Sequence, residues 1–168
     1  MSGLGPEAQR ALAMIRRMVA DAPTQLGEGV ARVVREAPGE RLEQLMRTPA
    51  RRAILEGIFR QMPQRLDSER AAGVSSSMRW CITGRPDGVV DVYRLQIVDS
   101  QCHVTRGSAI GVDEARVTVT LDGVELLKLA TGNSDPMRAY FSGRIKLAGD
   151  VVLAAKLASL FQMPSASR

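Results

Sequence analysis

The sequence predicts an α/β protein, of α+β arrangement, in which helices cover the apolar face of a five-stranded sheet and a helical extension precedes them. Three observations support this fold class. Apolar residues recur at helical spacing between positions 12 and 62, they alternate with polar residues between positions 77 and 121, and capped apolar helices flank one short strand between positions 122 and 161. A sheet that is apolar on one face requires helices to cover that face.

Helical periodicity begins close to the N-terminus. The apolar positions of three successive stretches are Leu12, Ile15, Val19 and Ala22, then Leu26, Val30, Val33, Val34 and Ala37, and then Leu42, Leu45 and Met46. Pro38 and Gly39 interrupt the second stretch. Thr48 and Pro49 form a suitable N-cap and first-turn pair for another helix that runs to about Met62. The buried side of that helix is expected to comprise Ile54, Leu55, Ile58, Phe59 and Met62.

Three roles are open to the amphipathic helices of residues 1–50. They cover their own domain or a second copy of it, they form a surface for a partner protein, or they lie on a membrane surface. Trp and Phe, the usual interfacial anchors, are absent from residues 1–50, which disfavours the membrane role. We expect at most transient membrane contact, and a homodimer or an enzyme partner bound through these residues is the alternative to packing within the domain.

The apolar period changes from 3.6 to two after Gly73, which is expected to end a short helical turn from Asp67 to Ala72. The apolar faces of the first two strands are Met78, Trp80 and Ile82, and then Tyr93, Leu95 and Ile97. A turn over residues 85–88 connects them. The further strands are Cys102 to Arg106, Arg116 to Leu121 and Arg144 to Ala148. The first four strands are expected to form an antiparallel meander.

The C-terminal part of the chain contains several predicted helix-capping residues. The expected N-cap carboxylates are those of Asp122, Asp135 and Asp150. Pro136 fits a first helical position, and Glu125 completes a capping-box-like pattern three residues after the first cap. Gly132 and Gly143 are expected to end two of the helices in a left-handed conformation. The order helix, helix, strand, helix follows.

Charge and composition limit the class of protein. The net charge of +5 is spread evenly, with 12 basic against 9 acidic residues in positions 1–70, which is unlike the clustered basic stripe of a nucleic-acid-binding protein. No apolar run reaches the roughly 18 residues of a membrane span, and no secretory signal pattern is visible. We therefore expect a cytoplasmic protein without a nucleic-acid partner. Only Lys128, Lys146 and Lys156 are lysines, and this bias towards arginine suggests a GC-rich bacterial source.

Reactive side chains are sparse. Cys81 and Cys102 lack a metal-binding spacing, and with the single His103 they cannot supply the three or four ligands of a zinc site. We expect free thiols, a surface histidine, no metal and no cofactor. No nucleophile elbow and no glycine-rich phosphate loop is present in the sequence.

Two blocks of sequence, within residues 53–163, resemble a known family, the sterol carrier protein type-two (sterol-transfer) domain. The front block is AILEGIFRQMPQRLDSERAAGVSSSMRWCITG, and the back block is DGVELLKLATGNSDPMRAYFSGRIKLAGDVVLAAKLASLF. The markers that fall in register are Met62-Pro63, Leu66-Asp67-Ser68-Glu69, Leu129, Gly132, Asp135-Pro136, Ala139, Ser142-Gly143, Lys146, Gly149-Asp150, Lys156-Leu157 and Leu160-Phe161. The first 50 residues lie outside the resemblance.

The resemblance implies a curved five-stranded sheet covered by helices around an apolar tunnel. Family members take sterols, fatty acids, acyl-coenzyme A esters or phospholipids, as small carriers or as modules of larger enzymes. The chain is accordingly divided into a helical extension (1–50), a lipid-binding domain (51–164) and a short tail (165–168).

Eighteen apolar residues are candidates for the tunnel wall. They are Ile58, Phe59, Met62, Trp80, Ile82, Tyr93, Leu95, Leu126, Leu127, Leu129, Met137, Tyr140, Phe141, Val152, Leu153, Leu157, Leu160 and Phe161. Each has an alternative interpretation as ordinary core, because an apolar face packs equally well against protein or ligand. Four cations are candidates for an anionic headgroup at the mouth, or are simply solvated: Arg138, Arg144, Lys146 and Lys156.

Three functional hypotheses remain. The leading one is a non-enzymatic protein that binds and transfers a lipid or another elongated apolar molecule. The alternative is an assembly or accessory module of an enzyme of lipid, quinone or polyketide metabolism. An enzyme that acts on a bound apolar substrate is the least favoured, because no acid/base pair at motif spacing can be named.

Overall fold

The computed structural model describes residues 5–19, 32, 36–107, 115–131 and 133–161. Its α-helices are α1 (Pro6–Val19), α2 (Gly39–Leu45), α3 (Ala50–Gln61), α4 (Gly123–Ala130), α5 (Pro136–Phe141) and α6 (Val151–Ala158). Its strands are β1 (Ser76–Thr83), β2 (Asp91–Val98), β3 (Gln101–Arg106), β4 (Val117–Asp122) and β5 (Ile145–Gly149). A 3-10 turn over Met62–Arg65 follows α3 directly. Most of the apolar stretch predicted between Leu26 and Ala37 lies outside the described residues.

The five strands form one mixed sheet in the order β3-β2-β1-β4-β5. The antiparallel pairs β1/β2 and β2/β3 agree with the prediction, but the four-stranded meander is wrong, because β4 lies parallel to β1 on its other side. The alternation of apolar residues determines which face of a strand is buried, but it does not determine which other strand lies beside it. Trp80 lies opposite Tyr93 on one side and opposite Val119 on the other, so the parallel pairing makes the inner face continuous.

The edge strand β5 ends in a conformation that requires glycine. Gly149 has φ of +97°, and a Cβ atom at this position would lie 2.2 Å from the carbonyl oxygen of Arg116. The next amide, that of Asp150, donates to the same carbonyl at 2.9 Å. The close approach turns the chain from β5 directly into α6.

The predicted caps are present at three helices. The carboxylate of Asp122 accepts from the Glu125 amide at 2.7 Å, that of Asp135 from the Met137 amide at 3.0 Å, and that of Asp150 from the Leu153 amide at 2.9 Å. The Glu125 side chain differs from the capping-box prediction, because its carboxylate accepts from the Ser134 hydroxyl instead. Gly143 has the expected positive φ, and Gly132 lies outside the described residues.

The helix α3 begins at Ala50, so its N-cap is Pro49 rather than the predicted Thr48. The Thr48 hydroxyl still accepts from the Ala50 amide, at 3.3 Å. The segment from Asp67 to Ala72 forms turns rather than a helix, and Gly73 ends it at φ of +79°. No helix of the described residues is both long enough and apolar enough to cross a membrane.

The hydrophobic core lies between the inner face of the sheet and the helices. The helix α1 packs mainly against α6 and also contacts α4 and α5. Its side chains Ala11, Leu12, Ile15 and Met18 are buried in the same core cluster as the sheet residues. The first helix of the N-terminal extension therefore contributes to the domain interior.

Candidate functional site

The centre of the interior is an aromatic group between α3 and the sheet. Phe59 of α3 stacks on Tyr93 with ring centroids 4.0 Å apart and planes at 10°. It also meets Trp80 edge to face, with centroids 5.7 Å apart. Because Trp80 and Tyr93 are cross-strand neighbours, one helical side chain joins both strands.

Thirteen of the predicted wall residues are buried in one core cluster. They are Ile58, Phe59, Met62, Trp80, Ile82, Tyr93, Leu95, Leu126, Leu127, Leu129, Leu157, Leu160 and Phe161. Three others, Met137, Tyr140 and Leu153, are half-buried and pack against that cluster. Phe141 and Val152 lie on the surface, with 62% and 59% of their area exposed. Phe141 is the last residue of the short helix α5, and Val152 faces the space beside α1.

Several polar atoms on the inner face of the sheet have no well-directed hydrogen bond from the described part of the chain. They are the hydroxyl of Ser76, the indole Nε1 of Trp80 and the hydroxyl of Tyr93, all inaccessible to solvent. An unsatisfied buried polar group costs about 1–3 kcal/mol, so such groups are uncommon in interiors that serve packing alone. They are candidates for contact with a polar atom of a bound molecule.

A group of charged side chains lies at one end of the sheet, where α3 and β2 begin and β3 ends. The buried carboxylate of Asp91 accepts from Arg51 Nε at 2.9 Å, from Arg85 Nη1 at 3.1 Å and from Arg106 Nη2 at 3.2 Å. The Arg51 guanidinium also donates from Nη2 to the carbonyls of Ile82 and Thr83, at 3.1 and 3.0 Å. The pair of Arg51 and Asp91 thus ties α3 to the ends of β1 and β2.

The electrostatics of Asp91 follow from these contacts. Burial by itself would raise the pKa of its carboxyl, but the hydrogen bonds and charges of Arg51 and Arg85 outweigh burial and hold the pKa below its usual value. For Tyr93, burial raises the pKa of the phenol, and the neighbouring Arg106 guanidinium opposes that rise. The phenol end of Tyr93 therefore lies among the charged groups, while its ring stacks on Phe59.

These residues surround an open cleft of about 410 Å³, which we call the arginine cleft. Its lining residues are Met46, Arg47, Thr48, Pro49, Arg51, Arg52, Leu55, Arg85, Pro86, Asp87, Asp91, Tyr93 and Arg106. Five of them are arginines and two are aspartates, so the lining carries an excess of positive charge.

A second depression of about 500 Å³ separates the exposed sides of α1 and α6, and we call it the α1/α6 groove. It is lined by Glu7, Arg10, Ala13, Arg17, Val152, Ala155, Lys156 and Ser159. Of the four cations predicted at a tunnel mouth, only Lys156 lines it. Arg144 is paired with Glu125 at 3.6 Å, and Lys146 and Arg138 are exposed elsewhere, so the structure does not bring the four together.

The thiols and the histidine show no nucleophilic arrangement. Burial raises the pKa of the Cys102 thiol to about 12. Burial also raises the pKa of Cys81, against the opposing effects of Arg79 and of a hydrogen bond with Thr120. His103 is exposed on β3. Within the described ranges, no three His, Cys, Asp or Glu residues lie close enough together to hold a metal ion.

The sequence contained a signal for the arginine cleft that was missed. Asp91 occupies the same face of β2 as Tyr93, Leu95 and Ile97, so its carboxylate must face the interior. A charge at an inward position requires a partner. Arg51 is four residues before Leu55 on the buried side of α3, which is the matching signal on the helix.

Comparison with known proteins finds similar stretches in two longer proteins. The chain is 40% identical over 55 residues to sterol carrier protein 2 of Rattus norvegicus, covering 33% of this chain and 10% of that protein. It is 28% identical over 103 residues to the peroxisomal multifunctional enzyme type 2 of Mus musculus, covering 60% of this chain and 14% of that enzyme. The chain therefore spans only a small part of the length of either relative.

Among solved structures, an inverting sec-alkylsulfatase from Pseudomonas sp. shares the fold with a TM-score of 0.52 and 24% identity, over 66% of this chain and 17% of that one. The sequence profile of one family, described as the SCP-2 sterol transfer family, matches residues 55–162. The matched region contains the whole sheet, α4 to α6, and the three aromatic residues Phe59, Trp80 and Tyr93. Since it covers more than half of the sequence, the chain belongs to the SCP-2 sterol transfer family.

Proposed function

We propose that this protein binds a lipid or a similar elongated apolar molecule and transfers it without catalysing a reaction. Sterols, fatty acids, acyl-coenzyme A esters and phospholipids are the candidate ligands. The proposed site is the apolar layer between the inner face of the sheet and the helices, opened by ligand into a tunnel. Family membership supports lipid binding.

The observation that carries this proposal is the indole N–H of Trp80. It is fully buried at the centre of the inner sheet face and meets no acceptor among the residues that the structure describes. A hydroxyl or carbonyl oxygen of a bound lipid would supply the acceptor and remove the cost of the unsatisfied donor. The rest of the ligand would contact aliphatic and aromatic side chains such as Phe59 and Leu157.

The energy for binding would come from the hydrocarbon. Each methylene removed from water contributes about 0.8 kcal/mol, so a chain of a dozen methylenes can offset the separation of some packed side chains. Access is most favourable beside α5 and α6, which are only 6 and 8 residues long. Their half-buried side chains Met137, Tyr140 and Leu153 can move aside with less loss of packing than fully buried ones.

Trp80 provides the test, because it is the single tryptophan of the chain. A fatty acid brominated in mid-chain should quench its fluorescence on contact, whereas the same acid without bromine should not. Native mass spectrometry of the same samples gives the number of lipids bound. Binding without quenching would place the lipid outside the interior, and the absence of both signals would reject the proposal.

A second candidate is an accessory module that docks onto a larger enzyme or onto a second copy of the chain. It is favoured by the α1/α6 groove, and by relatives in which the matched region is a small part of a longer protein. Light scattering on the full chain and on Val152→Glu, a change on the exposed wall of that groove, tests it. A dimer in the parent that dissociates in the variant, with lipid binding retained, would assign the groove to association.

A cytoplasmic location stays a prediction.

A further inference from the structure

The arginine cleft contains more positive charge than its own carboxylates neutralise. Asp91 faces the guanidinium groups of Arg51, Arg85 and Arg106, and Arg85 also pairs with Asp87 at 2.6 Å. Three cations thus share two anions. Arg47 adds a further positive charge to the lining. An anion placed in this cleft would meet an uncompensated field from several directions.

A buried polar atom reaches the same cleft, and no side chain of the described residues satisfies it with good hydrogen-bond geometry. Tyr93 has only 2% of its area exposed, and its hydroxyl lies beside the Arg106 guanidinium without a well-directed hydrogen bond to it. Its ring lies in the apolar interior against Phe59, and its hydroxyl end lies near Arg106 at the cleft. A phenol donates readily to a carboxylate or phosphate oxygen. Tyr93 therefore connects the charged cleft to the apolar layer.

We propose that the arginine cleft binds the anionic end, a phosphate or a carboxylate, of an amphipathic ligand whose hydrocarbon part lies in the apolar layer. Arg85 and Arg106 would contact the anion from the exposed side, and the Tyr93 hydroxyl would donate to it from the interior. Arg51 and Asp91 would hold these two more exposed arginines in place rather than contact the anion. The location of the hydrocarbon rests on the proposed lipid-binding function, whereas anion binding does not.

The geometry of Arg106 fits this role. Its side chain is 37% exposed, and one of its nitrogens lies 3.2 Å from Asp91, so its other donors remain directed away from that carboxylate. All three nitrogens of Arg85 donate to Asp87 or Asp91, which leaves it one further N–H on each of Nη1 and Nη2. Guanidinium groups that are anchored by carboxylates and keep further donors are well suited to phosphate and carboxylate oxygens.

Three probes of the full-length chain test the proposal by calorimetry: dodecyl phosphate, dodecanol and inorganic phosphate, at constant ionic strength and below micelle-forming concentrations. Arg106→Gln should weaken the binding of dodecyl phosphate at least tenfold, because a charged hydrogen bond is lost, and should leave the affinity for dodecanol unchanged. Tyr93→Phe keeps the ring stack on Phe59 and should weaken the binding of dodecyl phosphate about threefold to tenfold. Arg60→Gln, the same charge change at an exposed position of α3, should have no effect.

The outcomes separate the two proposals. Equal affinity for dodecyl phosphate and dodecanol, with no effect of Arg106→Gln, would overturn the anion site and leave lipid binding intact. Inorganic phosphate bound in an Arg106-dependent manner, with no binding of dodecanol, would support the site for a free anion and reject the lipid function. Failure of all three probes to bind would overturn both. Circular dichroism of each variant confirms that it is folded.

Discussion

Asp91 is the residue on which the charged end of the sheet depends. Its carboxylate and the Arg51 guanidinium are each only 7% exposed, and they connect α3 to β2 across 40 residues of sequence. Replacement of Asp91 by Asn would leave the Arg51 charge buried without a carboxylate. We predict a loss of about 3–5 kcal/mol in the free energy of unfolding, measured by urea denaturation.

Asp87 supplies the matched control, since it also pairs with an arginine of the same cleft but is 49% exposed. Asp87→Asn should leave the urea midpoint nearly unchanged, because water replaces the lost contact of an exposed pair. Equal losses for the two variants would show that burial of the Arg51 pair has no energetic consequence.

The carboxyl group of Asp91 also makes the stability of the protein depend on pH. The pKa of Asp91 in the folded protein is lowered by Arg51 and Arg85 in spite of burial. Its contribution to stability is therefore complete above the unfolded value of about 3.9 and is lost as the pH falls through the lower folded value. We predict that the difference in unfolding free energy between the parent and Asp91→Asn narrows below about pH 4. A difference that stays constant from pH 6 to pH 2 would contradict this.

At the scale of elements, α1 is the helix whose role the sequence left most open. Its periodicity predicted an amphipathic helix correctly, but the same pattern suits a partner surface or a second copy equally well. In the structure, Leu12, Ile15 and Met18 are buried with α6, which is itself part of the family domain. The helix is therefore expected to unfold together with the sheet.

Ile15→Ala tests this coupling. The side chain is fully buried, so its truncation should cost about 2–5 kcal/mol. The fluorescence of Trp80, which lies in the sheet and not in α1, should report the whole loss in urea denaturation. Arg10→Ala, at an exposed position of the same helix, is the control and should leave the midpoint unchanged. A normal Trp80 transition in Ile15→Ala would show that α1 folds independently of the sheet.

At the scale of the molecule, local sequence patterns predicted the strands and the helix caps. They did not predict the pairings between residues that are far apart in the sequence. The faces of β1 and β2 follow from alternation around Trp80 and Tyr93, and Asp122 acts within three residues of its own position. The parallel partner of β1 is β4, more than thirty residues away, and no local period distinguishes it from an antiparallel neighbour. Arg51 and Asp91 are similarly far apart in the sequence, so their contact was not predicted either, although each charged residue lies on the inward-facing side of its element.

A ligand in the layer between sheet and helices would contact side chains from most elements, so its effect should be global. Saturation with dodecyl phosphate at about 100 times its dissociation constant should stabilise the protein by about 2.7 kcal/mol. For a chain of 168 residues, this corresponds to a rise of about 5–10 °C in the melting temperature. Far-UV circular dichroism and Trp80 fluorescence should shift together, because the unfolding unit is one core.

Arg106→Gln provides the internal comparison for this experiment. At the same ligand concentration its melting temperature should rise less than that of the parent protein, since weaker binding gives a smaller mass-action term. Inorganic phosphate alone at that concentration should give a smaller rise in both proteins, because it lacks the hydrocarbon that would bridge the sheet and the helices. A fall in the melting temperature would mean that the amphiphile binds the unfolded chain in preference to the folded one. A rise seen by circular dichroism but not by Trp80 would place the ligand away from the interior of the sheet.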